Sequence, residues 1–239
     1  MVNILLVSPR TGAEIAAAEY SDVLKATGLN TAQLTQRMLD DEFKSVGETE
    51  DFQGIIVGGS PLLVSSEEYS AWQHRVHQEL GALLENPQPT FFLCFGNTLL
   101  AHLTGGTINR EYAENSGATV VQLTQAGQTD RLTRGLPEEF LALTGHTENA
   151  VTVGRGAELL ATGPSCPVQI VRANETSWAC QFHAEMDAAA MQTRMDYYFD
   201  YGYFSPAEYD HIVQEISRHD YSPAHQVLRN FVDVCSGAR

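Results

Sequence analysis

Lysine is almost missing from this chain: Lys25 and Lys44 are the only two in 239 residues. Lysine and arginine together number 14 against 30 acidic residues, a formal net charge of −16. A surface so acidic repels phosphate backbones and anionic lipids, which argues against a nucleic-acid or membrane-surface partner. Cysteine is also scarce. Cys94, Cys166, Cys180 and Cys235 lie far apart with no C-x-x-C spacing, so neither a zinc site nor a disulfide framework is indicated. A reducing, cytoplasmic setting is expected. No apolar run approaches the ~20 residues that span a bilayer. The apolar start, residues 2–7, lacks a basic flank and is too short for a signal segment, so it reads as a first buried strand. Internal repeats, low-complexity segments and linkers are absent as well. No organic cofactor is implied, and no metal: His74 and His77, three apart without a third ligand, read as a solvated helix face, and His211, His219 and His225 are scattered on surface helices.

What the chain does have is alternation of strand and helix. Residues 2–7, 31–34, 55–57 and 90–93 read as strands; 14–26 and 67–84 read as helices, the first stopped by Gly28. This order predicts an α/β fold with a central, mainly parallel sheet and helices on both faces. Sites in such sheets form beyond the carboxyl ends of strands. From 107 to 181 the pattern shortens to β-like runs such as 120–123, 140–143 and 168–171. Residues 191–239 read as two or three helices broken at Ser205-Pro206 and Ser222-Pro223. The expected organisation is a catalytic domain over 1–190 with a C-terminal helical extension, 191–239, packed on it. The aromatic cluster Tyr197, Tyr198, Phe199, Tyr201, Tyr203 and Phe204 is read as a helix docking on the core, with a subunit contact as the second option.

Three places carry chemistry. In Phe91-Phe92-Leu93-Cys94-Phe95-Gly96 an apolar strand stops at a thiol, and a helix-like run follows. That is a strand–turn–helix with a nucleophile at the turn, where the sulfur faces the first N–H groups of the helix and its positive end. A cysteine that merely ends a core strand has the same local sequence. In Gln181-Phe182-His183-Ala184-Glu185 a strand ends in His-x-Glu. A thiol nucleophile needs a base, and the base needs an acceptor that fixes its tautomer, roles that His183 and Glu185 fit. In Val57-Gly58-Gly59-Ser60-Pro61 a strand runs into a turn whose backbone N–H groups suit an oxyanion.

In this order the three places resemble the class I (triad-type) glutamine amidotransferase family, in its free-standing form akin to the amidotransferase part of GMP synthetase. Gly105-Gly106 resembles the pair that closes the helix after the nucleophile, Gly145-His146-Thr147-Glu148 the histidine-containing segment, and residues 156–161 the strand that follows it. The resemblance implies that Cys94 attacks the glutamine side-chain amide and forms a thioester. His183 then acts as base and acid, Glu185 orients it, and the N–H groups of Gly59 and Phe95 form the oxyanion hole. It also implies substrate contacts from Gly58, Ser60, Thr98 and His146. The products are glutamate and ammonia, and the ammonia acceptor is expected on a separate synthetase chain. This chain departs from the family at four positions: Phe92 replaces a usual glycine, Thr98 a glutamine, Ala184 a proline and Glu148 an aspartate. Thr98 is too short for the amide contacts of glutamine. A γ-glutamyl hydrolase acting on another small γ-glutamyl compound is therefore an alternative, and a non-catalytic scaffold of the same fold is another.

Overall fold

A computed structural model describes residues 2–199 and 201–237. The outer limits expected for the two regions, residues 1 and 239, lie outside the described residues. The described residues form eleven strands and six α-helices: β1 (Ile4–Ser8), α1 (Ala13–Thr27), β2 (Leu34–Met38), β3 (Gly54–Val57), α2 (Ala71–Ala82), β4 (Thr90–Leu93), α3 (Phe95–Leu103), β5 (Thr107–Asn109), β6 (Glu114–Leu123), β7 (Glu139–His146), β8 (Asn149–Thr152), β9 (Glu158–Thr162), β10 (Ile170–Arg172), β11 (Ser177–Cys180), α4 (Ala188–Tyr197), α5 (Tyr209–Ile216) and α6 (Ser222–Ser236). The main sheet has the order β2-β1-β3-β4-β11-β10-β9-β6-β7. Its first five strands run parallel, and the other four extend it antiparallel. β5 and β8 form a separate antiparallel pair.

The inner parallel strands, β1, β3, β4 and β11, are buried on both faces because helices cover both. On β1, Ile4 and Leu6 face one cluster with Phe91, Trp178 and Phe231, while Leu5 and Val7 face another with Ile55, Val57 and Phe92. A continuous apolar run, rather than an alternating one, is what such two-sided burial requires. α6 belongs to the first cluster, with the rings of Phe91 and Phe231 5.6 Å apart. The C-terminal region thus packs into the main core, and residue 191 lies inside α4.

Two element limits differ from the sequence reading. The second strand is Leu34–Met38 rather than 31–34. It is an edge strand in which only Leu34 is buried, so its sequence, LTQRM, carries little apolar signal. The helix expected from 67 begins at Ala71, because Ser70 takes an extended conformation and its hydroxyl accepts from the Gln73 N–H at 3.1 Å, a helix N-cap. It ends in a single 3-10 turn, Leu83–Glu85. α1 does stop at Gly28, whose φ of 74° suits glycine and whose N–H bonds the Leu24 carbonyl.

The fold brings four adjacent strand ends together. β1, β3, β4 and β11 run side by side and release, at one edge, Arg10, Gly58-Gly59, Cys94 and Gln181–His183 respectively.

Candidate active site

Cys94 sits between β4 and α3 with φ 50° and ψ −100°, the one non-glycine residue with positive φ among the described residues. Such a conformation costs on the order of 1–3 kcal/mol and persists only where the surroundings enforce it. The enforcement is visible on both sides. The Cys94 N–H donates to the Cys180 carbonyl at 2.8 Å, and the Cys94 carbonyl accepts from the Asn97 N–H at 2.9 Å. Gly96 makes the turn tight: a Cβ there would lie 2.6 Å from the Phe92 Cβ. Phe92 itself is buried in the core cluster beneath α2 and α3 and lines neither cavity at Cys94. The departure at that position therefore falls on packing against Gly96.

His183 follows β11 and is tied to β7 by its own N–H, which donates to the Leu143 carbonyl at 2.8 Å. Its Nδ1 lies 2.8 Å from Glu185 Oε1, with both side chains buried. Burial, the largest single influence on His183, pulls its pKa down. The charge of Glu185, then that of Cys94, outweighs burial and raises it to about 10. Burial likewise pushes Glu185 up, but the charge and hydrogen bond of His183, with help from Arg194, bring it down to about 2. The pair therefore favours imidazolium and carboxylate together. Cys94 is close to the ring: one point in the glycine loop, the ideal Cβ position of Gly59, is 3.0 Å from His183 Cε1 and 3.8 Å from Cys94 Cβ. Gln181 Nε2 approaches Cys94 Sγ at 4.0 Å, and Gln181 Oε1 accepts from Asn97 at 3.0 Å.

The glycine loop is pinned from behind. The Gly58 N–H donates to the Val7 carbonyl, whereas the Gly59 N–H meets no backbone acceptor among the described residues. Arg10 Nη2 donates to the Gly59 carbonyl at 2.6 Å and lies 2.7 Å from Glu19 Oε1; this ion pair is fully buried. Ser8 Oγ donates to the other Glu19 oxygen at 2.6 Å. Arg10 Nη1 reaches the Tyr198 hydroxyl at 3.3 Å.

Cys94 opens onto two cavities. The larger encloses about 510 Å³, its mouth included, and is lined by His183, Arg10, Arg194, Tyr198 and Tyr203 among others. The smaller, about 270 Å³, is lined by Phe95, Thr98, His146, Glu148 and Gln181; Ser60 borders both. The structure thus gathers Cys94, His183, Glu185, Gly59, Phe95, Ser60, Thr98 and His146 in one place. Gly58 is the exception and corrects the sequence reading: its N–H is taken up by Val7, it lines neither cavity, and a Cβ on it would meet the Glu19 carboxylate at 2.4–2.6 Å. One further reading needs correction and another is extended. His77 is half-buried against Tyr69 and Phe95 rather than on a solvated face. In the aromatic cluster, Tyr198, Tyr203 and Phe204 form a wall of the larger cavity as well as a docking surface.

His146 has a second engagement. Its Nε2 lies 2.9 Å from Glu114 Oε2, and Glu114, His146 and Cys166 each place one potential ligand atom within 4.8 Å of the others. The Glu114 carboxylate already accepts from Thr119, Thr144, Ser165 and Gln169. Burial pushes the Cys166 thiol up to about 12, so it keeps its proton. This donor set fits a hydrogen-bond network better than a metal centre. Glu148 accepts from the Val64 and Ser65 N–H groups, each at 2.8 Å, and fixes the loop that roofs the smaller cavity.

Comparison with known proteins agrees with the fold. The family model for glutamine amidotransferase class-I matches residues 20–199. One subunit of the glutamine-hydrolyzing GMP synthase from Sulfurisphaera tokodaii is 28% identical over 164 residues, 68% of this chain and 80% of that protein. The longer glutamine-hydrolyzing GMP synthase of Syntrophomonas wolfei is 29% identical over 135 residues, 56% of this chain but 24% of that protein. The crystal structure of a glutamine amidotransferase from Thermotoga maritima shares the fold with a TM-score of 0.78 at 16% identity, covering 98% of this chain and 99% of that one. With the match spanning most of its length, and the elbow cysteine and His183–Glu185 pair inside it, the chain belongs to the class-I glutamine amidotransferases.

Proposed function

We propose that the protein hydrolyses the side-chain amide of glutamine through a thioester on Cys94. The observation that carries this reading is a strained cysteine at the N-cap position of α3 beside a buried His183–Glu185 pair. Cys94 Sγ adds to the amide carbon while the oxyanion is held by the N–H groups of Gly59 and Phe95. Phe95 is the first residue of α3, so its N–H has no partner within the helix. His183 passes the thiol proton to the leaving nitrogen, and ammonia departs. Water then adds to the thioester, its proton returns through His183 to sulfur, and glutamate is released. Glu185 keeps the imidazole in the orientation that both transfers need. Each oxyanion donor in such chemistry is worth roughly 10²–10³ in rate. Thr98, Ser60 and His146 contact the glutamyl half in the smaller cavity. The ammonia acceptor is a synthetase on a second chain, in keeping with relatives named as one subunit of a GMP synthase.

The test is release of glutamate and ammonia from glutamine by wild type and Cys94→Ala, together with mass labelling of Cys94 by an electrophilic glutamine analogue. Turnover that disappears in Cys94→Ala, with label on Cys94 alone, supports the reading. Undiminished turnover in that variant sinks it.

A further inference from the structure

We infer that the larger cavity at Cys94 is a leaving-group site for an amino acid, so that γ-glutamyl amino acids with a free carboxylate and an apolar side chain are substrates beside glutamine. This rests on the hydrolysis proposed above and names what else that site accepts.

The argument starts from the direction of proton transfer. The nitrogen that leaves must lie against the group that protonates it. His183 borders the larger cavity, whereas Phe95 and Thr98 border the smaller one, and Cys94 opens to both. With the acyl half on the Phe95 and Thr98 side, the leaving group projects into the larger cavity. Ammonia, like water, needs room of ~10–15 Å³ for its centre to move in. On that measure the cavity holds about 50 Å³, space for a group several times larger that continues through the open mouth. Its lining also offers an apolar surface that ammonia has no use for. Met191, Met195, Tyr198, Tyr203 and Phe204 present an apolar wall.

Within that wall stands a cation with free donors. The Arg194 side chain is only 8% exposed and borders the cavity. Its Nη2 reaches Asp22 Oδ2 at 3.1 Å, but Nε and Nη1 are sealed from solvent and have no acceptor. Buried guanidinium N–H groups without an acceptor are costly, and Nε with one terminal nitrogen is the fork that matches a carboxylate. Arg10, also on the lining, spends both terminal nitrogens on Glu19, Gly59 and Tyr198 and leaves only Nε without an acceptor, so it lacks the two-donor fork. An amino acid linked through its nitrogen to the glutamyl group would place its carboxylate two bonds from that nitrogen and its side chain against the methionines and aromatics.

The chemistry balances as it does for glutamine. Sulfur bonds to the γ-carbon and the C–N bond to the amino acid breaks. The thiol proton moves through His183 to that nitrogen, and water cleaves the thioester to glutamate while restoring the thiol.

The experiment compares kcat/KM for glutamine, γ-glutamyl-leucine and γ-glutamyl-leucinamide in wild type, Arg194→Lys and Arg194→Met. In wild type the free acid is expected to exceed the amide by roughly tenfold or more, the scale of a hydrogen bond to a charged group. That ratio should shrink toward one in Arg194→Met and fall between the two in Arg194→Lys, which keeps the charge but loses the fork. The ratio is internal to each variant, so a general loss of activity or stability does not move it, and the wild-type ratio needs no variant at all. Turnover of glutamine alone, equal rates for acid and amide, or a ratio unchanged in Arg194→Met overturns the inference and leaves glutamine hydrolysis standing. Inactivity toward all three, with no labelling of Cys94, overturns the hydrolysis reading and this inference with it.

Discussion

Arg10 and Gly59, 49 residues apart in sequence, are joined by a 2.6 Å hydrogen bond from the guanidinium to the backbone carbonyl. The same nitrogen is 2.7 Å from Glu19, and neither charged side chain is exposed to solvent. The peptide plane that carries the Gly59 carbonyl cannot rotate without breaking its hydrogen bond to a buried guanidinium that Glu19 holds in place. The pair thus fixes the loop whose N–H is proposed to meet the oxyanion, making Arg10 and Glu19 positioning residues rather than participants in the chemistry.

Arg10→Lys keeps the charge but cannot serve Glu19, Gly59 and Tyr198 at once. The expected result is a folded protein whose kcat falls by roughly 10–100-fold with little change in KM, since a small displacement of a catalytic loop carries such penalties. Arg10→Met leaves Glu19 as an unpaired buried charge and should destabilise by about 3–5 kcal/mol. Steady-state kinetics beside urea denaturation separate the two effects. Wild-type kcat in Arg10→Lys would remove the positioning role.

The two glycines of the loop should respond differently. A Cβ on Gly58 would enter the Glu19 carboxylate at 2.4–2.6 Å, with no room to retreat because Ser8 and Arg10 hold it. Gly58→Ala is expected to lose about 3 kcal/mol of stability, the upper range for overpacking. A Cβ on Gly59 would lie 3.0 Å from His183 Cε1 and 3.2 Å from Arg10 Nη2. A shift of a few tenths of an ångström accommodates it, so Gly59→Ala should fold to within about 1 kcal/mol of wild type and lose activity roughly tenfold. Thermal melts and glutamine turnover for the two variants check this ordering, and the reverse ordering would contradict it.

What the sequence revealed and what it concealed follow from distance along the chain. Cys94 was legible because its strand, turn and helix are contiguous, and His183 and Glu185 because they are two residues apart. The parallel strands were legible because burial on both faces leaves unbroken apolar runs. Arg10 and Tyr198, which touch across 188 positions, belong to no motif, and only the fold brings them together. Arg194 and Asp22, 172 apart, are hidden for the same reason. Glu19 looked like an ordinary polar residue of α1, yet it is fully buried. The one usable hint was a carboxylate on the face of α1 that also carries Ile15, Ala16 and Val23. β2 was misplaced because an edge strand with one buried residue has almost no apolar pattern to read.

The strain at Cys94 yields a comparison between two inactive variants. Elsewhere glycine is less stable than alanine by roughly 0.5–1 kcal/mol, because it loses more backbone entropy on folding. At φ 50° and ψ −100° the preference should invert, since only glycine adopts that region without a Cβ clash. Cys94→Gly is therefore expected to be more stable than Cys94→Ala by about 1 kcal/mol, with turnover lost in both. Urea denaturation at neutral pH measures the difference. Alanine as the more stable of the two would mean that the turn is relaxed.

Acid should reveal the hidden network around Glu114. Burial pushes this carboxyl up, but hydrogen bonds from His146, Ser165 and Thr119 outweigh burial and lower it from its ordinary 4.5 to about 2. A carboxyl held below its unfolded value stabilises the fold at pH above that value, and the contribution disappears as pH falls through the folded one. The drop corresponds to on the order of 3 kcal/mol, present at pH 5 and above and lost between about 4.5 and 2. Glu185, also brought down to about 2, acts with the same sign over the same window, so acid unfolding of the wild type alone cannot divide the effect. Glu114→Gln removes one contribution and keeps the other. Its stability deficit against wild type should be largest near neutral pH and narrow steadily below pH 4.5, followed by urea midpoints at pH 7, 5, 4 and 3. A deficit that stays constant across those points would mean that the Glu114 network stabilises through shape alone.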